Sequence, residues 1–189
     1  MFNFFKKKKK MYEMIKKSVE AFKNRPVYLK LNKEIIDGTS DDFIEQLIFD
    51  NICQIVGAAN KDEFEAVKDL TIGQRASYSV WCVEAEVNNG GFNQFYFNSS
   101  GQFAQLAVEG FRTFGANKFA ALMEKANSIH SEIKDDLGKF NDGTVEGFSK
   151  SYENNALNDL DTQFFALYKE EEISKLRINY SRSHIQEFI

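Results

Sequence analysis

This chain of 189 residues has one proline, Pro26, and only eleven glycines. A sandwich or barrel of many short strands needs a turn about every 8–12 residues, and there is too little turn material here to supply them. Cysteine is scarce too. Cys53 and Cys82 form no C-x-x-C pair, which leaves sulfur-ligated zinc and dithiol chemistry without their residues. Both fall within apolar helical patterns, so two reduced, buried thiols are expected, with a single disulfide as the alternative. The two histidines, His130 and His184, have Asn127, Ala126, Ser181 and Tyr180 at their i−3 and i−4 positions. No carboxylate stands there, as a helical metal site would require, and each is read as a partly buried histidine. No cofactor site is expected. No apolar run approaches the roughly 20 residues that cross a bilayer. The apolar start, Phe2 to Phe5, is broken by Asn3 and followed by Lys6–Lys10, the reverse of the charge order in a secretory signal. A cytoplasmic location is expected.

What the chain has is hydrophobic and aromatic mass: 43% and 14% of residues, with 19 phenylalanines, enough for one substantial core. The apolar positions recur at helical spacing. Met11, Ile15, Val19 and Phe22 mark a basic amphipathic helix that Pro26 ends; Val27–Leu31 is either a short strand or an extended connection. Thr39 or Ser40 caps a helix carrying Phe43, Leu47, Ile48, Ile52 and Val56, stopped by Gly57. A short acidic helix is expected over 61–69. Thr71 and Gln74 have capping-box spacing and open a helix to about Asn88, with Tyr78, Trp81, Cys82 and Ala85 facing inward. Further helices follow around Phe103–Phe114, Phe119–Leu137, Leu160–Tyr168 and Ile173–Phe188. The reading is all-α: a single compact multi-helix domain over 34–189 with a basic N-terminal extension over 1–33.

The stretch Val87–Gly101, VNNGGFNQFYFNSSG, admits two readings. As scaffold, Gly90 and Gly91 supply a left-handed corner, Phe92, Phe95 and Tyr96 form one face of a short helical segment, and Asn98–Gly101 closes it. As a ligand loop, the paired glycine amides would cradle an anion; yet no Lys-Ser/Thr follows and no strand precedes. The scaffold reading is preferred. Glu84 and Glu86, two apart on a helix, point in different directions and make no catalytic pair; one of them is expected to bond to the corner's backbone amides. No G-x-S-x-G elbow is present. Trp81, Glu84, Glu86, Asn88, Asn89, Gly90, Gly91, Phe92, Gln94, Phe95, Phe97, Asn98, Ser99 and Gly101, followed by Gly115-Ala116 and later by Leu160-Asp161, Tyr180 and Phe188, resemble the signature of a bacterial family of small helical proteins named for a DNA mimic protein. The resemblance spans roughly residues 40–188. It implies a small helical domain, in a family named for a member that resembles DNA by its acidic surface and occupies a DNA-binding regulator.

Charge divides the chain sharply. Residues 1–33 hold 11 basic and 2 acidic residues, a balance of +9; the remaining 13 basic and 26 acidic residues give −13. The acids cluster at Asp41-Asp42-Glu45, at Asp62, Glu63, Glu65 and Asp69, at Asp135 and Asp136, and at Glu170, Glu171 and Glu172. These clusters keep a protein soluble, and they also suit surrogate phosphates, since carboxylates at i, i+3 and i+4 stand about 5–6 Å apart at Cβ. The function read from the residues is a non-enzymatic acidic binding protein that engages a basic, nucleic-acid-binding protein, with no direct nucleic-acid binding by the acidic body. The alternative is an interaction or immunity-type module that blocks a partner by shape; an enzyme of unfamiliar chemistry stands third. The lysine-rich extension suits an anionic membrane or nucleic acid, a solvated tail, or a mask for the acidic body.

Overall fold

The computed structural model describes residues 2–189, with residues 2–5 described as backbone only. The Phe2, Phe4 and Phe5 side chains therefore lie outside the described residues. Ten α-helices and no strand occur among the described residues: α1 (Phe2–Lys23), α2 (Lys33–Gly38), α3 (Asp41–Ala58), α4 (Glu63–Lys68), α5 (Ile72–Phe97), α6 (Ala104–Thr113), α7 (Asn117–Gly138), α8 (Val145–Lys150), α9 (Asn158–Leu167) and α10 (Ile173–Ser183). Short 3-10 turns cover Ser99–Phe103 and Ile185–Glu187. The all-α expectation holds. Val27–Leu31 is an extended connection, not a strand.

Helix α5 is the shared wall of two hydrophobic clusters. Val80, Val83 and Val87 face one cluster with Phe92, Phe95, Phe111, Phe119, Met123 and Phe164, drawn from α5, α6, α7 and α9. Tyr78 and Cys82 face the other with Ile36, Ile44, Ile48, Ile52, Val67, Phe103 and Phe188, drawn from α2, α3, α4, the 3-10 turn before α6 and the C-terminal turn. Full burial of each such phenylalanine or isoleucine stabilises by about 1.5–3 kcal/mol. α6 crosses α5 closely because Gly110 has no side chain: a Cβ there would stand 3.1 Å from the Ala76 backbone.

Local chemistry explains most of the ends. Thr71 and Gln74 form the capping box at α5, each bond 3.3 Å, and the Thr71 hydroxyl also donates to the Glu187 carbonyl at 2.6 Å. Asp62 caps α4 by accepting from the Phe64 amide at 2.9 Å. α3 begins after Ser40, but neither expected cap bond forms: Ser40 makes none, and Thr39 donates to the Ile35 carbonyl instead. Gly57 does not stop α3, which runs on to Ala58. Trp81 is not inward-facing; it is 44% exposed, stacked on Phe49 at 4.0 Å. Its place on α5 falls between the two clusters, so the periodic pattern counts it with its buried neighbours. His130 is half-buried against the Tyr96 ring at 4.1 Å. His184 is exposed rather than partly buried, because α10 ends just before it.

The basic extension is helical and solvent-exposed. α1 is one continuous helix of 22 residues, and residues 6–24 are exposed throughout, so none of these residues is buried against the acidic body. Its C-terminal end is fastened by Arg25, which donates twice to Asp50, at 2.5 and 2.7 Å, and lies over the Phe22 ring at 3.7 Å.

Because Thr71 both opens α5 and holds the C-terminal turn, Thr71→Ala is expected to lower the urea midpoint by an amount equivalent to about 1–2 kcal/mol, with an unchanged denaturant slope. An unaltered midpoint would contradict this role.

Candidate partner-binding surface and the glycine corner

The signature stretch is a corner inside α5. Gly90 (φ −153°, ψ 25°) and Gly91 (φ 72°, ψ −178°) break the helical path. Gly91 lies at positive φ, yet its ψ puts it in the mirror of the extended region rather than in the left-handed helical one; that region is essentially open to glycine alone. A Cβ on Gly91 would also run into the Asp161 carboxylate. The break frees the Phe92 amide, and Asp161 Oδ1 accepts it at 2.8 Å from α9. The Tyr152 hydroxyl donates to the Gly90 carbonyl at 2.8 Å. So a carboxylate does serve the corner's backbone, but it is Asp161 and not Glu84 or Glu86.

Those two glutamates diverge as their spacing requires. Glu86 gathers the polar side chains of the corner, accepting from Gln94 at 2.6 Å, Asn98 at 2.9 Å and Ser100 at 3.0 Å. Glu84 accepts from the Tyr168 hydroxyl at 2.9 Å and pairs with Arg177, whose guanidinium also pairs with Glu45. This part-buried triad ties α5, α10 and α3. Burial alone would lower the Arg177 pKa, but the two carboxylates outweigh it and hold the value above its usual range. Inside the corner, Asn155 donates to Asn93 and Asn93 to Ser151, each at 2.7 Å, and all three are buried. Phe92 and Phe95 are fully buried. Gly101 packs against the Tyr96 backbone, and Asn89 is exposed. The corner's polar groups are thus mostly consumed within the chain, which supports the scaffold reading.

Neither thiol has surroundings that lower its pKa. Both are free; burial, then the charge of Glu63, pushes Cys82 far above its usual pKa, and burial raises Cys53 as well. Beside the triad lies a cleft of about 150 Å³ whose walls include Trp81, Phe49, Arg177 and Glu45.

The acidic clusters separate into different situations. Asp62 caps α4, Glu63 accepts from the buried Tyr78 hydroxyl, Glu65 pairs with Lys68 at 3.1 Å, and Asp69 pairs with Lys61. Glu171 caps α7 from across the chain, accepting from the Lys118 amide at 2.9 Å and the Phe119 amide at 3.2 Å. Glu170 pairs with Lys118 at 2.8 Å and Glu172 with Lys175 at 2.6 Å. Asp136 pairs with Lys139 at 2.5 Å, and that bond holds its carboxyl below the usual range. Asp135 is exposed beside it. Ser174 donates to Glu45 at 2.7 Å, which brings the Glu170–Glu172 cluster near Asp41–Glu45. Asp135 stands apart, about 26 Å along α7 from Lys118 at 1.5 Å per residue.

Residues 68–184 match the family model described as DMP19-like protein. The chain belongs to the DMP19-like family. The match runs from the end of α4 past α10 and includes the whole glycine corner, Asp161 and Arg177, in agreement with the resemblance read from the signature residues. No curated protein and no solved structure matches the chain. Sequence alone singles out Asp161 only through the resemblance and does not reveal Arg177 or Tyr152, because their partners stand 62 to 132 residues away.

Burial raises the Asp161 carboxyl above its usual range despite the Phe92 amide, which acts to lower it. A carboxyl raised in the folded state binds its proton more readily there than in the unfolded chain, so stability from this group grows as pH falls. Relative to Asp161→Asn, the wild type is therefore expected to gain stability as pH drops from neutrality toward the ordinary carboxylate range. Chemical denaturation across that window checks it; a constant difference would contradict it.

Proposed function

We propose that this protein acts by binding another protein, as an acidic decoy for the nucleic-acid-binding face of a basic partner. The observation that carries this is the charge excess outside residues 1–33, 26 acidic against 13 basic residues, within a chain of the DMP19-like family. The local ion pairs do not cancel that excess. Exposed pairs such as Asp136–Lys139, Glu65–Lys68 and Glu172–Lys175 are worth about 0–1 kcal/mol each, so a partner's arginines can replace the lysines at small cost. Carboxylates with a task in the fold, such as Asp62, Glu63 and Glu171, are less free to serve.

The C-terminal third of α7 suits the role best. Glu132, Asp135 and Asp136 are all exposed and stand at i, i+3 and i+4. That spacing is about 5–6 Å at Cβ, comparable to the spacing of charge along a DNA strand. They also lie in the last two turns before Gly138, where the unsatisfied carbonyls of a helix end add partial negative charge. A second reading, a module that blocks a partner by shape, is favoured by the exposed Trp81 over its cleft, since tryptophan and arginine beside a pocket are the usual anchors of protein interfaces.

The two readings predict different salt dependence. A decoy captures basic proteins in an association that falls steeply between low and moderate salt, is competed by duplex DNA, and weakens roughly tenfold or more when Glu132→Gln, Asp135→Asn and Asp136→Asn are combined. Salt-insensitive capture that DNA leaves intact and Trp81→Ala abolishes would replace the decoy with the shape-blocking module.

A further inference from the structure

We propose that α1 is a peripheral membrane-docking helix that lies in the interface of an anionic bilayer. Its lysines sit among the headgroups and its apolar face sits at the acyl boundary. From residue 11 onward the helix is cleanly two-sided. At 3.6 residues per turn, Met11, Met14, Ile15, Val19 and Phe22 fall on one side with Ser18 among them, and Lys16, Lys17 and Lys23 fall on the other together with Glu13 and Glu20. The apolar residues are 45–61% exposed, and no residue from 6 to 24 is buried against the body. Residues 2–23 contain eight lysines and two glutamates, a balance of +6.

The charge selects among occupants. A second copy of α1 would cover the apolar side, but it would bring two strongly positive helices together. Nucleic acid would satisfy the lysines and leave methionine, isoleucine, valine and phenylalanine in water. An anionic lipid surface satisfies both faces at once, the usual logic of an interfacial amphipathic helix. Crossing the bilayer is not an option for this element, because no helix among the described residues is long and apolar enough. The rest of the chain fits the geometry. Its excess of 10 negative charges is repelled by an anionic leaflet, while Arg25 fastens the end of α1 to Asp50. The helix therefore lies on the surface with the acidic helices held toward solution.

Vesicle flotation of the full chain tests this, using phosphatidylcholine alone and phosphatidylcholine with about one-third phosphatidylglycerol. The wild type is expected to float with the anionic vesicles and not with the neutral ones. Ile15→Asp with Val19→Asp should lower the floated fraction roughly tenfold or more, while Trp81 emission stays unchanged as a control for the body's fold. No flotation, or flotation that the double variant retains, would overturn the proposal. So would absent flotation together with an α1-dependent dimer in sedimentation, or with duplex DNA binding that survives Ile15→Asp.

Discussion

The hydrogen bond from the Phe92 amide to Asp161 is the constraint around which the rest is arranged. A helix of 26 residues would otherwise run straight past the core it must cover. Breaking it at Gly90 and Gly91 turns its last two turns so that Phe92 and Phe95 enter the cluster with Phe119 and Phe164. The break exposes a backbone donor in a part-buried place, and an unmet donor there would cost about 1–3 kcal/mol. Asp161 meets it from α9, and in doing so fixes α9 against α5. The Asn93–Ser151–Asn155 network and the Tyr152 hydroxyl then tie the segment between α7 and α9 to the same corner. One strained glycine thus helps to position α9 and the segment that precedes it.

How much of this was legible in the sequence depends on the range of the interaction. Period and caps are local, so the helices carrying Phe111, Met123 and Phe164, and the Thr71–Gln74 box, could be read directly. The six-residue α2 and α8 show too little periodicity to be read, whereas α4, equally short, is marked by its run of acidic residues. Periodicity places Trp81 inward because it assigns a side of the helix, not whether a neighbour covers it. The corner was recognised as scaffold, yet its true acceptor lies 69 residues beyond Phe92, and spacing within a short window cannot reveal such a partner. The same holds for Arg177 between Glu84 and Glu45. The acidic clusters were visible as composition, but Glu171 as the remote cap of α7 was not.

The carboxylates of this protein therefore do two kinds of work. Some hold the fold: Asp161 at the kink, Glu84 and Glu45 around Arg177, Glu171 and Asp62 at helix starts. Others, such as Glu132 and Asp135, are exposed and belong to no ion pair among the described residues. The proposed binding role rests on this second set and on weak surface pairs that exchange easily. The basic α1 is separate in charge and in packing from both. A rigid, internally satisfied corner leaves the exterior free to change without loss of fold.

The central claim is that Asp161 holds the α5 kink. Native-state hydrogen exchange at the Phe92 amide, compared between the wild type and Asp161→Ala, tests it most directly. The account predicts that this amide exchanges in the wild type only through global unfolding, and that in the variant it opens far more readily than the amides of α3. Rapid exchange in the wild type, or equal protection in both proteins, would contradict it.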